Sequence, residues 1–174
     1  MYKMSAKPMI TIEQIQTRVR ELAAEISGSF DFDIILSALT GAYMFTTDLS
    51  RAMANVKHRI AFIKASSYGS GMESSGELKV SGLDKLDLKG KKVLVIDDIL
   101  DTGNTMSTLA SMLKESGVAD IRTCVLMNKE ERRTVDFHAD FVGFEIANEF
   151  VVGYGLDFNE DYRTLPEVWT LEEA

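Results

Sequence analysis

The sequence predicts an α/β fold, a mainly parallel twisted sheet flanked by helices. Three observations carry that prediction. Short apolar runs rich in β-branched residues recur at 32–38, 58–66, 92–96 and 121–127, segments of helical period stand before or between them at 11–26, 43–54 and 105–115, and 174 residues suit one core better than two. At that length roughly two thirds of the unfolded chain's surface should be buried on folding. Strands alternating with helices at this spacing imply right-handed βαβ units, with a functional crevice at the carboxyl ends of the strands.

The first helix is read from Ile12, Ile15, Val19, Leu22, Ala23 and Ile26, spaced by three and four behind a capping Thr11. After the break at Gly28, the run from Phe32 to Ala38 reads as a buried strand, and Tyr43 to Ala54 as a second helix. His58 to Ser66 is a second strand. Lys92 to Ile96 is a continuous apolar run of the kind found where a sheet is covered on both faces. A helix from Thr105 to Glu115 ends before Gly117, and Ile121 to Met127 repeats the strand signature. Between the second and third strands lies Ser66-Ser67-Tyr68-Gly69-Ser70-Gly71-Met72-Glu73-Ser74-Ser75-Gly76, dense in Gly and Ser. Strand-like flanks on both sides favour a lid hinged on a β-ribbon over a passive linker.

Composition narrows the function. Hydrophobic residues at 45% and charged residues at 26% are ordinary for a globular protein. The net charge of −8 argues against nucleic acid and anionic lipid as partners, since both bind through clustered Lys and Arg. Met1-Tyr2-Lys3-Met4 lacks a signal-peptide core and no stretch approaches the roughly 18 apolar residues of a membrane span, so a cytoplasmic location is expected. Cys124, the single cysteine, lies in the apolar run Thr123-Cys124-Val125-Leu126-Met127 and reads as a small core residue. His58 reads as structural or solvent-facing.

The chemistry is concentrated in Val93-Leu94-Val95-Ile96-Asp97-Asp98-Ile99-Leu100-Asp101-Thr102-Gly103-Asn104-Thr105, where a buried strand meets two adjacent carboxylates and then a hydroxyl-rich turn opening a helix. Amides at the helix start, the hydroxyls of Thr102 and Thr105 and the bare backbone of Gly103 form a nest suited to a phosphate. Asp97 and Asp98, placed at the strand's end, can hold hydroxyls or water around a hard cation. Together they describe a ligand with a phosphate monoester and a diol or metal, such as a ribose 5-phosphate. The Walker-type nucleotide loop is absent.

This segment resembles the phosphoribosyl pyrophosphate (PRPP) motif of type I phosphoribosyltransferases, and further segments narrow the resemblance to hypoxanthine-guanine phosphoribosyltransferases over roughly residues 10–168. Leu39-Thr40-Gly41 with the helix after it resembles the family's pyrophosphate-binding turn. Ser67-Tyr68-Gly69 with Glu73-Ser74-Ser75-Gly76 resembles its lid, within about 66–80, and Asp140 to Ile146 with Phe150 to Glu160 and Arg163 its purine hood, within about 138–170. The resemblance implies one domain of the type I fold and a magnesium-dependent transfer from PRPP to a 6-oxopurine base. It further implies that Asp97 and Asp98 hold ribose hydroxyls directly or through Mg2+, that Asp101 takes the proton from purine N7, and that Asp101, Thr102, Gly103, Asn104 and Thr105 cradle the 5-phosphate. Phe150 would stack on the base, the Val151 backbone would read its edge, Asp157 would hold a second magnesium, Arg163 would meet pyrophosphate, and Ser67 and Tyr68 would close over the reaction. A homodimer or homotetramer is expected, with the apolar face of the helix at 43–54 as a candidate contact.

Two family lysines are missing where the pattern leads one to expect them. Leu39-Thr40-Gly41 stands where the family has Leu-Lys-Gly, and His138 stands where a lysine for the purine 6-oxo group is expected. A neutral imidazole can donate to an oxo group but can also accept, so it discriminates oxo from amino less firmly, while an exposed loop histidine is the plainer reading. Lys129, Arg132 and Arg133 read as a solvated, charge-rich connector, one of which could approach pyrophosphate or a neighbouring subunit. Rival functions are a phosphoribosyltransferase for xanthine or another base and a non-catalytic PRPP- or nucleotide-sensing regulator.

Overall fold

The computed structural model describes residues 2–53, 57–67 and 78–173. The first helix, α1, runs Ile12–Ser29 behind a capping box in which the Thr11 hydroxyl accepts from the Gln14 amide (3.2 Å) and the Gln14 side chain accepts from the Thr11 amide (2.8 Å). Its buried stripe is Ile15, Val19, Leu22, Ala23 and Ile26, the spacing the sequence displays.

A six-stranded sheet follows in the order β4-β3-β2-β5-β6-β7, comprising Leu78–Ser81, Arg59–Ser67, Ile34–Leu39, Lys92–Leu100, Asp120–Asn128 and Phe141–Glu145. All neighbours are parallel except β3 and β4, an antiparallel ribbon that brackets residues 68–77. Helix α2, Tyr43–Met53, connects β2 to β3, and α3, Asn104–Glu115, connects β5 to β6. The sheet is covered on both faces. Leu94 and Ile96 join Ile35, Leu126 and the α1 stripe on one side, while Val93 and Val95 join Leu36, Val125 and the Met106, Leu109 and Leu113 face of α3 on the other. This is why β5 reads as an unbroken apolar run and not an alternating one.

A second, three-stranded sheet β1-β9-β8 joins Tyr2–Met4, Trp169–Glu173 and Val151–Val152 in antiparallel register. Part of the segment expected in the hood therefore belongs elsewhere: β7 is an edge strand of the large sheet, and the N-terminal residues 2–4 complete the small one. Arg18 of α1 donates to the Gly143 and Val142 carbonyls (3.0 and 2.8 Å), occupying part of the otherwise unpaired edge of β7.

The suggested contact face of α2 is spent internally, because Phe45 and Leu49 are fully buried in the cluster beneath α1. Large exposed apolar side chains lie instead on β3, at Ile60 and Phe62. Cys124 is buried, and burial pushes its thiol pKa up, as a core residue requires. His58 stacks on Phe32 with ring centroids 3.9 Å apart, a structural placement. Among the described residues no helix is long and apolar enough to cross a membrane.

Candidate active site

A cavity of about 450 Å³ opens at the carboxyl ends of β2, β3, β5 and β6, roofed by β8 and the loop that follows it. It lies where β2 has β3 on one side and β5 on the other, the reversal point at which open α/β sheets bind ligands.

The floor begins at the turn after β2. The Leu39–Thr40 peptide is cis, and the Tyr43 amide donates to the Thr40 carbonyl (3.1 Å), so the turn leads directly into α2 and Gly41 sits at a helix start. A buried hydroxyl pair, Ser37 with Thr46 at 2.7 Å, fastens α2 to β2 just behind it. A methyl at position 41 would fall 1.8 Å from Asp98 Oδ2, so Asp98 keeps its place in the cavity only beside glycine. Gly155, at φ +103°, packs its backbone on the Gly41 carbonyl, where a methyl would lie 2.2 Å from the oxygen. The roof is thus seated on the floor through two glycines.

The two carboxylates are not beyond the end of β5, as the sequence suggested, but within it, for the strand continues to Leu100. Consecutive strand residues face opposite ways. Asp98 accordingly lines the large cavity, and Asp97 lines a smaller one of about 110 Å³ shared with Thr102, Gly103 and Thr105. Pairing of β5 with β2 stops at Ile96, after which the Asp98 amide donates to Asp97 Oδ1 and the Ile99 amide to Asp98 Oδ1, both at 2.9 Å. Burial, together with the adjacent Asp98, pushes the Asp97 carboxyl well above the usual carboxylate range.

The smaller cavity is lined by the turn that the sequence reads as a phosphate nest. Gly103 caps α3 at φ +87°, and the first amides of the helix lack intrahelical partners. The connector after β6 braces this turn: the Thr134 amide donates to the Thr102 carbonyl (3.0 Å) and Asn104 Nδ2 to Thr134 Oγ1 (3.3 Å). Arg133, expected in a solvated loop, is buried, donating to the Asp101 carbonyl (2.9 Å) and to Asn128 Oδ1. Arg132 Nε donates to Asp101 Oδ1 at 3.0 Å and no bond among the described residues engages Oδ2.

Toward the roof, Phe150 is half-exposed over the cavity and meets Phe158 edge-on at 5.7 Å, while Val151 is buried and paired to Thr170 in β9. The Tyr154 hydroxyl donates to Asp48 of α2 at 2.7 Å, tying roof to floor a second time, and burial raises its pKa. Arg163 is held on the rim by the Gly155 carbonyl (2.9 Å), Asp157 (3.0 Å) and Glu160 (3.3 Å).

Most of the expected site residues therefore converge. Thr40, Gly41, Asp98, Asp101, Phe150, Val151, Asp157 and Arg163 line the large cavity, and Asp97, Thr102, Gly103 and Thr105 line the nest beside it, with Asp101 shared. Asn104, the first residue of α3, supports the turn from outside. Ser67 ends β3, and Tyr68, with the rest of the expected lid to 77, lies outside the described residues.

His138 is the exception. Its side chain is 66% exposed, stands 3.7 Å from Glu130 and 3.6 Å from Asp136, and does not line the cavity. Lys129 does line it, at 8% exposure, with no side-chain hydrogen bond or ion pair to any described residue. Its position follows from register: Leu100 pairs with Asn128, so the next residues along, Asp101 and Lys129, emerge side by side. Lys64 of β3 is a second cavity-lining cation that sequence reasoning passed over.

A strand-end cavity beside a helix-opening turn of amides and hydroxyls has the form of a sugar-phosphate site on an α/β sheet. The sequence profile of the phosphoribosyl transferase domain matches residues 10–159. The hypoxanthine-guanine phosphoribosyltransferase of Aquifex aeolicus is 45% identical over 96% of this chain and 95% of its own length. The hypoxanthine phosphoribosyltransferase of Escherichia coli K12 is 37% identical over 95% of each. The solved structure of a hypoxanthine-guanine phosphoribosyltransferase from Bacillus anthracis superposes with a TM-score of 0.89 at 37% identity, covering 97% of this chain and 99% of that one. The chain belongs to the phosphoribosyltransferase family.

Proposed function

We propose that this enzyme transfers the 5-phosphoribosyl group of PRPP to hypoxanthine or guanine, releasing pyrophosphate, a purine-salvage reaction. The observation that carries the reading is that Asp101 and Lys129, which follow the register pair Leu100 and Asn128, line one cavity together. In a 6-oxopurine, N7 and the oxo group share one edge, and a carboxylate beside an ammonium is the complement of that edge: Asp101 accepts the N7 proton and Lys129 donates to the oxo group. A 6-amino group would meet only donors at Lys129. Base choice thus rests on Lys129, and His138 is relieved of the role that the sequence assigned it. Phe150 stacks on the ring and the Val151 backbone meets its far edge.

The reaction breaks the bond from C1′ to the pyrophosphate oxygen and forms one from C1′ to purine N9. Positive charge develops on the ribose, and the bonding electrons leave with pyrophosphate. The nest of Asp101, Thr102, Gly103, Asn104 and Thr105 anchors the 5-phosphate and fixes C1′ relative to the base. Asp98 and Asp97 hold the ribose side, and Asp101 takes the N7 proton as N9 attacks, a contribution of about 10²- to 10⁴-fold. Arg163, oriented by Asp157, meets the leaving group.

The donor set fits magnesium. Asp98 and Asp157 line the same cavity and would each offer a carboxylate to a divalent cation, while Asp97 faces the neighbouring cavity. Magnesium takes few protein ligands and keeps water and substrate oxygens, so paired carboxylates suffice. Bound there, it supplies charge neutralisation for the departing pyrophosphate. We further infer a cytoplasmic homo-oligomer, for which exposed Ile60 and Phe62 on β3 offer an apolar contact.

The test is pyrophosphate release from PRPP and Mg2+ with hypoxanthine, guanine, xanthine and adenine in parallel. Turnover of hypoxanthine or guanine, cut about 10²- to 10⁴-fold in Asp101→Asn, is expected. PRPP binding without turnover on any base would make the chain a sensor and not an enzyme.

A further inference from the structure

We propose that Lys64 is the mobile cation of the leaving-group subsite, supplying from β3 the charge that Thr40 does not supply from the turn after β2. The inference rests on the transfer reaction proposed above. Three observations carry it.

The first is position. Lys64 pairs in register with Leu39, the residue before Thr40, and its side chain lines the same cavity as Thr40, Gly41 and Asp98. The second is charge. Four carboxylates, Asp98, Asp101, Asp157 and Glu160, line that cavity against three cations, Lys64, Lys129 and Arg163, so its wall is net acidic although its ligand is polyanionic. The third is availability. Arg163 is bound to Asp157, Glu160 and the Gly155 carbonyl, and Lys129 is buried at the far side beside Asp101. Lys64 is exposed and makes no side-chain hydrogen bond or ion pair with the described residues. A long, unpaired ammonium on the strand adjoining the pyrophosphate turn can swing onto a phosphate oxygen when PRPP enters and withdraw when pyrophosphate leaves.

The alternation of β3 agrees with this geometry. Ile63 points into the core at 1% exposure, whereas Ile60, Phe62 and Lys64 share the opposite, open face. Replacing Lys64 therefore removes a charge without opening the core.

The experiment compares wild type, Lys64→Gln, Lys64→Arg and the double variant Thr40→Lys with Lys64→Gln. Initial rates are taken with Mg2+, PRPP and hypoxanthine, and Mg-pyrophosphate binding is followed by calorimetry. The expected result is a rise of about tenfold in KM for PRPP and in Kd for pyrophosphate in Lys64→Gln, with KM for hypoxanthine within about twofold of wild type. Lys64→Arg should stay near wild type, and the lysine at position 40 should recover most of the loss. Unchanged PRPP and pyrophosphate affinities in a folded Lys64→Gln protein would overturn the proposal, as would an equal loss of hypoxanthine affinity. Wild-type protein that binds pyrophosphate but turns over no base would remove the enzymatic reading alone, leaving the calorimetric comparison to decide the role of Lys64.

Discussion

The two ends of the cavity are built from different materials. The end proposed for the leaving group, around Thr40, Gly41 and Lys64, is mostly backbone: a turn at the start of α2, seated against Gly155, with a lysine at its edge that is unpaired among the described residues. The end proposed for the base holds a buried Lys129, a buried and strand-paired Val151, and Phe150 set against Phe158. Each material suits its ligand. Pyrophosphate is small, symmetrical and highly charged, so amides and point charges recognise it and release it after reaction. A purine is a flat plate with a coded edge, and reading that edge requires groups that do not move.

The largest effect expected from this contrast is at Gly41. In Gly41→Ala the new methyl occupies the position of the Asp98 carboxylate, only 1.8 Å from Oδ2, and pushes it from the cavity while the core stays intact. We expect kcat/KM for PRPP to fall about 10²-fold or more, typical of a displaced positioning group, with little change in melting temperature. If purine affinity fell as far as PRPP affinity in binding experiments, the two ends would not be separable.

Lys129→Gln should produce the mirror image. Losing a charged hydrogen bond at a buried site is worth roughly 1.5–3 kcal/mol, or about 10- to 100-fold in KM for hypoxanthine. KM for PRPP should be nearly unchanged. The amide can accept as well as donate, so discrimination against adenine should relax. Steady-state kinetics with both bases would show this, and a loss confined to PRPP would place Lys129 at the wrong end.

The ends are nevertheless mechanically joined at Gly155. Gly155→Ala puts a methyl 2.2 Å from the Gly41 carbonyl oxygen at a backbone φ of +103°, so the roof must lift. A loss of about 2 kcal/mol, seen as a fall in Tm of roughly 4–8 °C for a chain of this size, is expected, together with weaker PRPP binding. An unchanged Tm would mean that the roof is not seated through this contact.

The same contrast separates what could be read in the sequence from what could not. The central strands were legible because burial on both faces leaves unbroken apolar runs, as in Val93 to Ile96, and α1 was legible because Thr11 announces its start and the apolar spacing its buried stripe. The turn that lines the smaller cavity was legible because its residues are contiguous. The small sheet was not, since Tyr2–Met4 becomes a strand only by pairing with Leu171 to Glu173 at the other end of the chain, and Val151–Val152 is too short to carry a period. Lys129 was read only as part of a charge-rich connector because motif spacing looks along the chain, whereas its place in the cavity wall follows from the neighbouring strand. One available signal would have found it: laying 92–100 beside 120–128 as equal parallel strands puts Lys129 next to Asp101.

That signal leads to the smallest expected effect and the one that tests the reassignment most directly. In His138→Lys a cation is added at a side chain that is 66% exposed and faces Glu130 and Asp136, outside the cavity wall. A lysine there finds two carboxylates before it finds a substrate, and an exposed pair of this kind is worth at most about 1 kcal/mol. KM for hypoxanthine, guanine and xanthine should each stay within about twofold of wild type, and the preference among them should not change. A shift of tenfold toward any one base would return the oxo contact to position 138 and leave Lys129 without a ligand. Combining His138→Lys with Lys129→Gln sharpens the choice: a lysine at 138 that restores hypoxanthine affinity must reach the base, whereas one that restores nothing confirms that the purine is read from the end of β6.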